Sequence, residues 1–218
     1  YDCPEIRAYQ IKNQCKVITI GTTPDCDYHA KDIKMSLDGI SFTCAFNNEE
    51  MEIRTKIVGR YNINNILLAI ALAKEMKIRN NIIKDAILAL EPVKHRLEVK
   101  NDHLITIIDD AYNANPLGFK MAIEVLSLAE NKKTIITPGI VDAGEASEAI
   151  NYDLALEIAK VCDEVILIDN PSSRFIHQGL VNADFTNIHV VNNYKSAYSL
   201  VTEGTVLIAN DLPDNYFI

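Results

Sequence analysis

The chain changes rhythm along its length. Apolar and polar positions alternate on both sides of Asn47-Asn48: Ile40, Phe42, Cys44 and Phe46 before the pair, Met51, Ile53, Thr55 and Ile57 after it. A period of two sends successive side chains to opposite faces, so this segment is expected to form an antiparallel hairpin with one wet face, turned at the asparagines. Upstream, Val17-Ile-Thr-Ile20 is a β-branched run closed by Gly21 and the turn-forming Thr22-Thr-Pro-Asp25, and it predicts a strand over 17–20. After Gly59 the period becomes helical. Ile63, Ile66, Leu67 and Ile70 mark one stripe, and Ile82, Ile83, Ala86, Ile87 and Leu90 mark a second that stops at Glu91-Pro92.

Beyond Pro92 short apolar runs alternate with helical stretches. Strands are expected over 104–108, 134–137, 165–168, 188–191 and 205–208. Helices are expected over 117–129, 146–161, 173–180 and 195–201, the second with Ile150, Leu154, Ile158 and Val161 on one stripe. Short apolar strands linked by helices form a parallel, doubly wound sheet, and such sheets bind ligands beyond the carboxyl ends of their strands. The expected fold class is α/β: a β-hairpin plus helices over 1–92, then a Rossmann-like, mainly parallel sheet over 93–218.

Composition narrows the function classes. The 218 residues are 48% hydrophobic, with no apolar run approaching the roughly 20 residues of a membrane helix, so a globular chain without membrane contact is expected. Tyr1-Asp-Cys-Pro has neither the features of a signal peptide nor an initiator methionine, which is what a piece of a longer polypeptide would show. A net charge of -9 without a lysine or arginine cluster argues against a nucleic-acid partner and favours small molecules. Cys3, Cys15, Cys26, Cys44 and Cys162 are odd in number and lack C-x-x-C spacing, as reduced thiols of a cytoplasmic protein would be.

Generic motifs exclude several chemistries. No G-x-G-x-x-G follows a strand, and Gly139 and Gly144, at Walker spacing, are followed by Glu145-Ala146 where a phosphate-binding loop needs lysine and a hydroxyl. There is no G-x-S-x-G elbow, the five histidines form no metal-ligand cluster, and no catalytic nucleophile stands out.

Three segments remain. In Gly59-Arg-Tyr-Asn-Ile-Asn-Asn65, Asn62 and Asn65 lie three apart at a helix start and share a face. Their carboxamides suit an adenine edge, while an N-cap at Asn62 and a solvated Asn65 fit the same spacing. His95-Arg96 offers a cation for phosphate or for a structural ion pair. Ile107-Ile-Asp-Asp-Ala-Tyr-Asn-Ala-Asn-Pro116 gathers two carboxylates, a phenol and two carboxamides at a strand end, as a ligand edge or as an Asx-turn and helix cap.

The order and spacing of these segments resemble the Mur ligases, ATP-dependent amide-bond-forming enzymes of peptidoglycan precursor synthesis. Gly59 to Ala73 is similar to the family's Gly-Arg-His-Asn-x-x-Asn and its Ala/Leu-rich helix, with Tyr61 at the histidine; Arg96 matches an arginine after the linker; Asp110 to Pro116 matches its Asp-x-Tyr-Asn-Ala-Asn-Pro run. The last is most similar to the branch that adds D-Ala-D-Ala to a UDP-muramoyl-tripeptide. The resemblance implies that residues 1–92 are the second half of the central ATP-binding domain and 93–218 the carboxyl-terminal domain. It implies that Asn62 and Asn65 face the adenine of ATP, that Arg96 and Asp110 reach the nucleotide with Asp110 at the ribose, and that Tyr112, Asn113 and Asn115 lie on the substrate side. Magnesium would accompany the phosphates, and the whole protein would be a cytoplasmic monomer. The family's phosphate loop and metal ligands lie before the region matched by Tyr1, so this stretch alone is expected to be inactive. Ile140-Val-Asp-Ala-Gly144 and Ala209-Asn-Asp-Leu-Pro-Asp214 depart from the family's acceptor-side loops, and with Tyr61 they leave room for a non-catalytic nucleotide- or partner-binding module.

Overall fold

Asn47 and Asn48 both adopt left-handed backbone, with φ of 47° and 62°, the pair of conformations that a two-residue hairpin turn demands. They join strands Gly39–Phe46 and Glu49–Thr55, registered Phe46↔Glu49 through Ile40↔Thr55. The computed structural model describes residues 16–112 and 115–209, and the chain divides into two units, Tyr1–Glu91 and Pro92–Ile218.

The first unit contains β1 (Ile20–Gly21), β2 (Tyr28–Ser36), the hairpin strands β3 and β4, α1 (Tyr61–Glu75) and α2 (Asn80–Leu88). Its sheet runs β1-β2-β3-β4. Phe42, Cys44, Phe46, Met51 and Ile53 form the inner face of the hairpin and share one core with Ile63, Ile66, Leu67 and Ile70 of α1. That is the pairing the two periodicities call for.

Three features of this unit differ from the expectation. The strand expected over 17–20 shrinks to Ile20–Gly21, because the Asp27 carboxylate takes both the N–H and the hydroxyl of Thr19, at 2.7 and 2.8 Å. Strand β2 is not legible from alternation. Its register shifts between Lys31 and Lys34, so Tyr28 and Ala30 face the core before the bulge, while Ile33 and Met35 pack toward it afterwards. The second helical stripe is narrower than its sequence, since only Ile83 and Ile87 of α2 are buried.

The second unit contains β5 (Glu98–Asp102), β6 (Ile105–Asp110), α3 (Pro116–Leu126), β7 (Lys133–Thr137), a 3-10 turn (Gly144–Ala146), α4 (Ser147–Val161), β8 (Glu164–Ile168), α5 (Pro171–Asn182), β9 (Ile188–Val191), α6 (Tyr194–Tyr198) and β10 (Gly204–Ala209). The sheet order is β5-β6-β10-β7-β8-β9. Strand β5 pairs antiparallel with β6, and the other pairings are parallel. This is the expected mainly parallel sheet with one added edge strand.

Alternation divides the second core. Ile136, Ile166, Ile168, Val206 and Ile208 pack with Ala197 and Val201 on the α6 side. Ile108, Ile135, Val165, Leu167 and Leu207, all fully or nearly fully buried, point to the other face, where α3, α4 and α5 lie. Pro and Asn set the helix starts: Asn115 caps α3 through Gly118 N–H at 2.8 Å, and Asn170 forms a capping box with Ser173 at α5. Helices α4 and α5 approach so closely that a Cβ on Gly179 would stand 2.6 Å from that of Ala155.

Candidate functional site at the carboxyl end of β6

Strand β6 delivers two consecutive carboxylates, and its pleat sends them to opposite faces. Asp109 joins Ile107 and Ile208 on the α6 side, bordering a cavity of about 570 Å³ whose walls include Lys100, Tyr194 and Tyr198. Its carboxylate is 5% exposed and receives His95 Nδ1 at 2.9 Å and Lys100 Nζ at 3.0 Å. Lys100 also pairs with Glu98 Oε2 at 2.8 Å. Burial alone would lower the Lys100 pKa, but the hydrogen bonds and charges of Glu98 and Asp109 outweigh it and the net direction is up. The acid is thus buried against the Lys100 ammonium and a ring nitrogen of His95, and a buried carboxylate is tolerated where it is paired and hydrogen-bonded.

Asp110 turns the other way and accepts the Leu97 N–H at 3.1 Å. Burial is the largest cause that raises its pKa, to about 6; the Leu97 N–H opposes it, the Asp109 charge adds to it, and Arg96 opposes it. The carboxyl is thereby held above the usual carboxylate range.

The segment carrying Arg96 is bent sharply. His95 and Leu97 both have positive φ, 62° and 48°, a conformation costly for residues with a Cβ. Four contacts hold it against β6 and the residues just beyond: His95 on Asp109, Leu97 N–H on Asp110, Tyr112 N–H on the His95 carbonyl at 3.2 Å, and the Arg96 guanidinium over the Tyr112 ring at 4.4 Å from its centroid. The structure therefore brings Arg96, Asp110 and Tyr112 together. Asn115 stands at the start of α3 with its side-chain oxygen occupied by the cap, and Asn113 lies outside the described residues.

In the first unit, Asn62 and Asn65 do share a face. Asn62 lies inside the first turn of α1, where its Nδ2 donates to the Val58 carbonyl at 2.7 Å, and Asn65 Nδ2 donates to Asn62 Oδ1 at 3.0 Å. Asn62 is not the N-cap, a position taken by Arg60. Asn65 is exposed, and its carboxamide oxygen and second N–H take no part in these bonds.

Sequence reasoning missed the His95–Asp109–Lys100–Glu98 network and the Leu97 N–H. The usable signal was Glu98-Val-Lys-Asn-Asp102, a charged alternation too short and too polar to read as a strand, although it forms β5. Among the described residues no three His, Cys, Asp or Glu side chains gather as metal ligands. No helix among them is long and apolar enough to cross a membrane.

The fold is a mainly parallel α/β sheet that gathers a cation, an acid and an aromatic ring at one strand's carboxyl end, the edge where sheets of this class place their ligands. The chain belongs to the Mur ligase family: residues 95–209 match the Mur ligase, glutamate ligase domain, and residues 1–73 match the Mur ligase middle domain. It is 29% identical over 148 residues to the UDP-N-acetylmuramoyl-tripeptide--D-alanyl-D-alanine ligase of Bacillus subtilis, covering 66% of this chain and 32% of that protein. To the UDP-N-acetylmuramoyl-L-alanyl-D-glutamate--L-lysine ligase of Staphylococcus epidermidis it is 32% identical over 161 residues, covering 72% of this chain and 32% of that one. The chain thus spans about a third of the length of these curated relatives. The MurF ligase of Thermotoga maritima in complex with ADP shares its fold, with a TM-score of 0.73 at 20% identity over 88% of this chain and 44% of that one.

Proposed function

We propose that this chain is part of an ATP-dependent carboxylate–amine ligase of peptidoglycan precursor synthesis, acting in the cytoplasm on small molecules as a monomer. The observation that carries the proposal is the convergence of Arg96, Asp110 and Tyr112 at the carboxyl end of β6 in a chain of this family. The ADP in the solved Thermotoga relative supports a nucleotide as ligand.

In this reading Asn65 meets the adenine edge with a donor and an acceptor together, and Asn62 orients it. Asp110 accepts from the ribose hydroxyls, and Arg96 faces the phosphates, where a guanidinium binds oxyanions in a fork. Asn113 and Asn115 are assigned to the substrate side. The reaction transfers the γ-phosphoryl group to an oxygen of the substrate carboxylate, releasing ADP. The amine nitrogen then attacks the carbonyl carbon, and collapse of the tetrahedral intermediate expels phosphate and leaves the amide. Magnesium, when bound with the phosphates, neutralises their charge.

The proposed carboxylate donor is a UDP-muramoyl-tripeptide and the proposed amine D-Ala-D-Ala, on the strength of the Tyr112-Asn-Ala-Asn115 run and the Bacillus relative. The test is ADP release by the complete gene product with that donor and a panel of amines. Release dependent on D-Ala-D-Ala is expected. Release with another amine instead would reassign the acceptor, and none with any amine would overturn this pairing of donor and acceptor.

A further inference from the structure

We infer that Tyr112 is a positioning residue: its ring holds the Arg96 guanidinium at the place where an anionic ligand meets it, and does not itself grip the ligand. The inference rests on the proposed nucleotide site and deepens it.

The geometry around Arg96 carries it. The guanidinium carbon stands 4.4 Å from the Tyr112 centroid, within stacking range of a cation on an aromatic face. The same residue's N–H is bonded to the His95 carbonyl, so ring and backbone both fasten the one segment that carries Arg96. That segment is bent through two left-handed residues, His95 and Leu97, which persist only where surrounding contacts overdetermine them. Consecutive carboxylates grip it from the two faces of β6, Asp109 at the His95 ring and Asp110 at the Leu97 N–H. Arg96 is the residue between those grips, and its side chain is exposed. A flexible exposed arginine loses rotamer freedom when it binds, and a stacking platform removes part of that loss beforehand. The Tyr112 hydroxyl has no part in this role; the ring face does.

The test uses the complete gene product and ADP as the probe, with calorimetric dissociation constants for the parent, Arg96→Ala, Tyr112→Leu, Tyr112→Phe and the Arg96→Ala/Tyr112→Leu double variant. Tyr112→Leu is expected to weaken ADP binding by about threefold, the worth of an exposed cation–ring stack. Tyr112→Phe, which keeps the ring, is expected to restore the parental value. In the Arg96→Ala background Tyr112→Leu is expected to have no further effect, because the residue acts through the arginine. Equal weakening in both backgrounds, or loss in Tyr112→Phe, would show a direct ligand contact and overturn the inference while leaving the nucleotide site standing. If Arg96→Ala itself leaves ADP binding unchanged, the arginine's place in the nucleotide site falls and the inference falls with it. Tyr112 is 57% exposed, so its replacement leaves no core cavity.

Discussion

Asp110 carries a conflict between position and charge. Its carboxyl is raised from 3.8 to about 6, chiefly by burial. A value raised on folding means that its contribution to stability is fully present below the unfolded pKa and is lost as pH rises through about 6. Asp110→Asn keeps an acceptor for the Leu97 N–H and removes the charge. At about pH 7.5 this variant is expected to be more stable than the parent by about 1–3 kcal/mol, with the gap closing toward about pH 4. Urea denaturation at the two pH values measures it, and a gap of equal size at both would contradict the assignment. The buried thiols carry no such sign: Cys44 and Cys162 are both pushed up to about 12 by burial, which keeps them protonated and packed.

At the scale of elements, the contact between α4 and α5 tolerates no side chain at Gly179, where an added Cβ would meet Ala155 Cβ at 2.6 Å and the Tyr152 carbonyl at 3.0 Å. Gly179→Ala is expected to cost about 1–3 kcal/mol through overpacking, despite the better helix propensity of alanine. Thermal melting checks this, and an unchanged or raised midpoint would mean that the two helices separate cheaply. The elements legible in the sequence were those whose periodicity runs unbroken. The hairpin around Asn47-Asn48, the stripe of α1 and the parallel strands from β6 onward were all readable from apolar spacing. Strand β2 was hidden because its bulge reverses which residues face inward, and β5 because its side chains are largely charged. The candidate site was half legible. At the end of β6, Asp110, Arg96 and Tyr112 stood out as residue types, but no spacing rule announces that Leu97 donates its backbone N–H or that His95 seats on Asp109.

For the molecule as a whole, the outer side of α1 is a prediction in itself. Leu68, Leu72 and Met76 lie four apart on one stripe and are 62%, 63% and 66% exposed, an apolar row of the kind that soluble monomers seldom present. This chain alone is expected to self-associate with rising concentration, and Leu72→Glu to suppress the association without changing its circular dichroism. Sedimentation of both across a concentration series gives the answer; a parent that stays monomeric throughout would show that the stripe is harmless.

The opposite aim of Asp109 and Asp110 imposes a parity rule on this part of the chain. Each residue added to or removed from β6 exchanges what its two faces present, so a single insertion before Asp109 would send one acid into the α6 cavity and the other toward Leu97 in swapped roles. Genes encoding relatives of this fold can therefore gain or lose codons in this strand only in pairs, or with a bulge like that of β2, if the paired acids are to keep their separate duties. A sequence alignment that opens an odd gap between Ile105 and Asp110 has either misplaced the site or marked a bulge.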